Sequence, residues 1–322
     1  MIELKNVTKK YGKFIAINNL NFEIKENEIV GLLGPNGAGK STTMNMITGF
    51  IDATEGNILI DGTDIEKNPK KAKKDIGYMP ENVPLYQSLT VREFINFMSD
   101  LKGVPRRDKK SQIQNIIKDT GLEEVQNKLI KNLSRGYKQR VSFAGAIVGN
   151  PKILILDEPT VGLDPKQIVE IRELIKKLGK NHTVIISSHI LSEISQICDK
   201  VIIINKGEIV AIDTPENLES KVCKNNSILV TVEDTENKMQ SLQDKVKDIS
   251  KIELIKDNED GTKQYEIFGE NDIDLRKTLF NVLPKENITI FELKKSEASL
   301  EDAFIKLISK EKEGGKDNVG NN

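Results

Sequence analysis

The sequence predicts an α/β domain over residues 1–220, a small α+β domain over 226–310, and a disordered tail at 311–322. Three observations predict this. Apolar, β-branched runs alternate with amphipathic helical patterns up to about residue 220. No apolar run approaches the roughly 18 residues needed to span a membrane. Beyond residue 226 the pattern becomes strand, helix, two strands, helix, strand, the β-α-β-β-α-β order of a ferredoxin-like domain. At 322 residues the chain has room for two such cores.

The expected strands are "EIVGLLG" (28–34), "KILILD" (152–157), "TVIISS" (183–188) and "VIIINKG" (201–207). They are apolar on both faces, which suits a sheet covered on both sides. Among the helices, "LTVREFINFMSDLKG" places Val91, Phe94, Ile95, Met98 and Leu101 on one face, with Thr90 and Glu93 as a capping box. "DPKQIVEIRELIKKLGK" opens with Asp164 as N-cap and Pro165 in the first turn, and closes at Gly179. In the second domain, "SILVTVED" and "NITIFEL" are the outer strands, with helices near 236–249 and 272–283 and two strands around "DNEDGT". A last amphipathic helix, "SLEDAFIKLISK", precedes the tail.

Composition narrows the function. Lys and Arg number 48 against 49 Asp and Glu, so the basic excess of a nucleic-acid-binding domain is missing. Cys198 and Cys223 lie in no CxxC pair, which argues against a disulfide framework or zinc site and suits a reducing cytosol. The opening "MIELKNVTKKYG" lacks the apolar core of a signal peptide. The expectation is a soluble, cytoplasmic chain whose membrane role, if any, runs through a partner.

"GPNGAGKST" follows an expected strand and opens an expected helix, the context that makes G-x-x-x-x-G-K-[ST] a phosphate loop. Its residues are Gly34, Pro35, Asn36, Gly37, Ala38, Gly39, Lys40, Ser41 and Thr42. The glycines let backbone N–H groups turn inward around phosphates, and the helix start adds its dipole. Lys40 would reach the outer phosphates and the Ser41 hydroxyl would ligate Mg²⁺. "ILILDEP" ends a strand in two carboxylates: Asp157 can hold Mg²⁺, and Glu158 can orient an attacking water beside the γ-phosphate. A helix N-cap explains the pair equally well in isolation; downstream of a phosphate loop the catalytic reading strengthens. His189 in "IISSHIL" is either structural or, at the C-terminal edge of the same sheet, a donor to the γ-phosphate. His182, in a polar turn, is expected to be solvated surface.

Seven segments in order, Tyr11 in "KKYGKF", "GPNGAGKST", "GYMPE", "LSRGYKQR", "ILILDEP", "GLDP" and "SSHIL", resemble the ATPase subunits of ABC transporters over roughly residues 2–220. The resemblance implies a P-loop core with an added antiparallel β part and a helical subdomain near 82–150. It implies ATP and Mg²⁺ as cofactors and a dimer, with a second copy or a paralogous subunit. It also implies an integral-membrane permease as partner and a peripheral position on the inner face of the cell membrane. Tyr11 is then the adenine platform, Asp157 the metal-side carboxylate, Glu158 the catalytic base and His189 the switch histidine. Ser134 and Gly136 would cap the γ-phosphate held by the other subunit, and Gly162, Leu163 and Asp164 would lie in the loop that crosses the dimer. Glu81 stands where most relatives have Gln, near the Mg²⁺ site. Arg135 and Tyr137 replace the first glycine and the glutamine of the usual LSGGQ, and Arg135 is expected to face solvent. These variants, "LTVREF" and "LEDAFIKL" resemble a branch of bacterial drug, antibiotic, lipid and polysaccharide exporters, including gliding-motility-type subunits.

Other classes fit less well. Translation-type relatives carry two cassettes and repair-type relatives long coiled-coil insertions. A small-metabolite kinase would leave "LSRGYKQR" and "SSHIL" without a role.

Overall fold

A computed structural model describes residues 1–82, 84–222, 227–234, 238–246, 248–258, 261–269 and 274–295. The chain forms two compact units, Met1–Pro215 and Glu216–Asn322.

In chain order the first unit contains β1 (Ile2–Tyr11), β2 (Phe14–Ile24), β3 (Ile29–Leu33), α1 (Lys40–Ile47), β4 (Glu55–Ile60), β5 (Thr63–Asp64), α2 (Pro69–Lys74) and β6 (Ile76–Met79). There follow α3 (Val91–Leu101), α4 (Arg106–Asp119), α5 (Arg135–Ile147), β7 (Ile153–Asp157), α6 (Pro165–Gly179), β8 (Thr183–Ser188), α7 (Leu191–Ser195), β9 (Lys200–Asn205) and β10 (Glu208–Asp213). The central sheet has the order β10-β9-β3-β8-β7-β6, parallel except for the β9–β10 hairpin. Every residue of β3, β7 and β8 is buried, as their two-sided apolar runs require. A second sheet, β2-β1-β4-β5, is antiparallel.

One apolar core joins both sheets to α1. It packs Ile2, Ile17 and Phe22 from the antiparallel sheet with Met44, Met46 and Ile47 of α1 and with Val30, Ile155 and Ile202 of the central one. Burying each such side chain contributes about 1.5–3 kcal/mol, so α1 is anchored from both sides. The helix that follows the phosphate loop therefore starts from a fixed base.

The capping box of α3 forms: Glu93 N–H donates to Thr90 Oγ1 at 3.2 Å, and Thr90 N–H to Glu93 Oε2 at 2.8 Å. Its buried face differs from the expected stripe at one end. Leu101 is 65 % exposed, because the helix stops there, while Ser99 is fully buried with its hydroxyl bonded to the Ile95 carbonyl at 2.8 Å.

His182 is a correction. It is 6 % exposed rather than solvated, and its Nδ1 donates to the Pro151 carbonyl at 2.6 Å. The turn after α6 folds against the segment leading into β7, and the imidazole satisfies a carbonyl that would otherwise be buried alone.

The second unit begins within α8 (Pro215–Val222) and contains β11 (Ser227–Glu233), α9 (Leu242–Lys245), β12 (Ile249–Asp257), β13 (Thr262–Gly269), α10 (Arg276–Val282) and β14 (Thr289–Lys295). The strand order β12-β13-β11-β14 is antiparallel throughout. Among the described residues of the helix expected near 236–249, the structure has a 3-10 turn (Lys238–Ser241) and the single turn of α9. There Asp234 accepts from the amides of Lys238 and Met239 and from the Tyr265 hydroxyl at 2.8 Å. Burial and Asp234 push the Tyr265 pKa up. Cys223, the expected helix 299–310 and the tail lie outside the described residues.

His182→Ala is expected to lower the unfolding free energy by about 1–3 kcal/mol, the cost of leaving a buried carbonyl unpaired. Urea denaturation measures it; a change below about 0.5 kcal/mol would fit a surface histidine instead.

Candidate functional site

Residues 34–39 connect β3 to α1. A Cβ at Gly34 would lie 2.3 Å from the Ile204 carbonyl oxygen, and one at Gly39, whose φ is +112°, would lie 2.5 Å from Ile17 Cδ1. Only glycine fits at these points. The β9–β10 turn supports the loop from beneath: Lys206 and Gly207 both have positive φ, as a two-residue hairpin turn needs. Gly207 N–H donates to the Ala38 carbonyl at 2.8 Å. Gly39 supplies no side-chain cap to α1, and the first turn holds no acidic residue, so its amides are left for an anion.

Lys40 is 6 % exposed. Its Nζ donates to the carbonyls of Gly34 at 2.7 Å and Pro35 at 3.3 Å, and lies 3.8 Å from Glu158 Oε1. Burial lowers its pKa, and the charges of Glu158, Asp157 and Glu81 oppose that shift.

The two carboxylates are set by strand register. Asp157 ends β7 opposite Ser187 of β8. The Ser187 hydroxyl donates to Asp157 Oδ1 at 2.5 Å and accepts from the Glu158 amide at 2.9 Å. Glu158 has φ +48°, a left-handed conformation that turns the chain away from the strand. Its carboxylate meets His189 Nδ1 at 3.0 Å (Oε2) and 3.2 Å (Oε1). Nearby, burial and the charge of Asp157 push the Tyr78 hydroxyl up to about 12.

A cavity of about 320 Å³ brings together Tyr11, Phe14, the phosphate loop, Glu81 and Glu158. Tyr11 and Phe14 face each other across the β1–β2 hairpin and are 51 % and 67 % exposed. Ser134 and Gly136 do not reach this cavity. They line a second one, also about 320 Å³, with Asp164 and Gln167 at the start of α6. Ser134 caps α5, accepting from the Tyr137 amide at 3.4 Å, and a Cβ on Gly136 would come within 2.8 Å of the Gln167 side chain. Arg135 is exposed, as expected, and its guanidinium is engaged as well: Nη2 donates to the Val161 carbonyl at 3.0 Å and the group covers Gly162.

Two site residues escape sequence reasoning. Phe14 signals itself only as an exposed aromatic near Tyr11. Ser187 signals itself as a hydroxyl inside a fully buried strand, where it must find a polar partner.

Residues 17–161 match the family model described as "ABC transporter". The chain is 37% identical over 311 residues to the bacitracin transport ATP-binding protein of Bacillus licheniformis, covering 96% of this chain and 97% of that protein. It is 38% identical over 233 residues to the linearmycin resistance ATP-binding protein of Bacillus subtilis (strain 168), covering 72% and 75%. Among solved structures, a dimeric ATP-binding cassette in a post-hydrolysis state with ADP and Pi superposes with a TM-score of 0.60 at 31% identity, over 67% of this chain and 99% of that one.

Gly34→Ala must displace either the loop or β9, since its Cβ would meet a backbone oxygen at 2.3 Å. A fluorescent ATP analogue is expected to bind at least about tenfold more weakly, a loss of about 1.4 kcal/mol. Unchanged affinity would mean that the loop is free to shift.

Proposed function

The chain belongs to the ABC transporter family as one of its ATP-binding subunits, an ATPase, and from that premise we propose how its residues divide the work. Two copies, or one copy and a paralogous subunit, form the working dimer. Each ATP lies between the phosphate loop of one chain and the Ser134–Gly136 segment of the other. The observation that carries this reading is the separation of the two parts within one chain: Lys40, Ser41 and Glu158 line one cavity, and Ser134 and Gly136 another.

Adenine stacks on Tyr11, with Phe14 extending the aromatic wall. The phosphates sit on the amides of the loop and the first turn of α1. Lys40 exchanges the carbonyls of Gly34 and Pro35 for phosphate oxygens, which are stronger partners for its charge. Glu158 orients a water in line with the γ-phosphorus. As the water oxygen bonds to phosphorus and the bond to the ADP oxygen breaks, Glu158 takes the water's proton. His189, bonded to Glu158 through Nδ1, holds that carboxylate in place and leaves its Nε2 for the γ-phosphate. Ser134 Oγ and the amides near Gly136, at the N-terminus of α5, cap the same phosphate from the other subunit.

Ser41, Asp157 and Glu81 offer hard oxygen donors, the type that suits Mg²⁺. Among the described residues no group of three or more His, Cys, Asp or Glu side chains forms a metal cage of its own. When bound, Mg²⁺ supplies neutralisation of the phosphate charge.

Among the described residues no helix is long and apolar enough to cross a membrane. We place the subunit on the inner face of the cell membrane, attached to a separate permease through the helical segment near 82–150. Export is the direction favoured by the bacitracin and linearmycin relatives. Residues 226–310 form the accessory domain.

Glu158→Gln is expected to keep ATP binding while lowering hydrolysis on the order of 10²–10⁴-fold, and to accumulate as an ATP-bound dimer on size-exclusion chromatography. Turnover near the wild-type rate would remove Glu158 as the catalytic base.

A further inference from the structure

The loop between Glu158 and α6 is held from outside at three points. Thr160 donates its hydroxyl to the buried Glu193 carboxylate of α7 at 2.5 Å. The other two points come from α5. Arg135 Nη2 donates to the Val161 carbonyl at 3.0 Å, and Gln139 Nε2 to the Pro159 carbonyl at 2.6 Å. Arg135 and Gln139 are four residues apart on a helix and so share one face.

The Arg135 contact is more than one hydrogen bond. An ideal Cβ on Gly162 would lie 2.1, 2.2 and 2.3 Å from Cζ, Nη2 and Nη1 of Arg135. The guanidinium plane therefore lies face-on over Gly162, in the space any side chain would need. Gly162 also has φ +70°, a left-handed loop conformation that favours glycine. Among the described residues no carboxylate forms an ion pair with Arg135, which leaves the loop as its recorded partner.

We infer that Arg135 is a positioning residue for hydrolysis. With Gln139 it ties the loop that begins at Glu158 to the N-terminus of α5, the helix that presents Ser134. A movement of that helix end on meeting a phosphate is thereby passed to the base of the chain's own ATP site. Lysine cannot substitute: it can reach the Val161 carbonyl but has no plane with which to cover Gly162. This inference rests on the ATPase reading above for its consequence, although the tether itself does not.

Two measurements on the full chain separate these. In nucleotide-free protein, amide hydrogen exchange across 158–164 is expected to rise at least about fivefold in Arg135→Ala, because the outer tether is gone. Steady-state hydrolysis is expected to lose about tenfold in kcat for both Arg135→Ala and Arg135→Lys, with the KM for ATP within about twofold, the signature of an interaction felt in the transition state. Arg135→Lys, which keeps the aliphatic stem and charge, guards against a simple folding defect. Unchanged exchange in Arg135→Ala, or full kcat in both variants, would overturn the inference. Raised exchange in a protein whose wild type does not hydrolyse ATP would uphold the tether and remove the ATPase reading.

Discussion

Much of the site depends on one hydroxyl. Ser187 Oγ donates to Asp157 and accepts from the Glu158 amide, so a single buried group fixes both carboxylates at the end of β7. The β7–β8 register sets this, by placing Asp157 opposite Ser187. The left-handed turn at Glu158 then sends the chain toward α6, and its largely buried carboxylate is met by both His189 and Lys40. Strain at a non-glycine φ of +48° survives only where neighbours over-determine it, and here they do.

The phosphate loop shows the same logic on the other side of the cavity. α1 is gripped by both sheets through Met44, Met46 and Ile47, and the loop ahead of it is pinned by the β9–β10 turn through Gly207 and Ala38. The binding amides are thus held open by packing before any ligand arrives. Preorganisation of this kind spares the cost of ordering a loop on binding.

The parallel core was legible because β3, β7, β8 and β9 are apolar runs on both faces, and the caps of α3 and α6 stand in the sequence as Thr90–Glu93 and Asp164–Pro165. The antiparallel strands were not legible from periodicity. Register shifts in β1 and left-handed Asn6 and Asn19 break the two-residue alternation that marks a half-buried strand. Short-range context also misled. His182 sits among polar neighbours yet is buried, because its partner Pro151 is 31 positions away. Arg135 is solvent-exposed as its position suggests, but only the fold shows that Val161 and Gly162 lie against it. The phosphate loop stands out by its spacing, whereas the carboxylate and histidine roles rest on the ordered set of motifs that the chain shares with its family. Ser187 could be named from neither, because its role exists only once strand order is known.

In the dimer we propose, neither cavity is a whole site, since the phosphate loop and Ser134 stand apart in one chain. The most direct test mixes two variants, Ser134→Arg and Lys40→Ala, each inactive as its own dimer. A heterodimer of the two pairs an intact phosphate loop with an intact Ser134 at one of its interfaces, so ATP hydrolysis is expected to return in proportion to the heterodimer formed. No hydrolysis, with heterodimer demonstrated by mass, would contradict a site completed in trans.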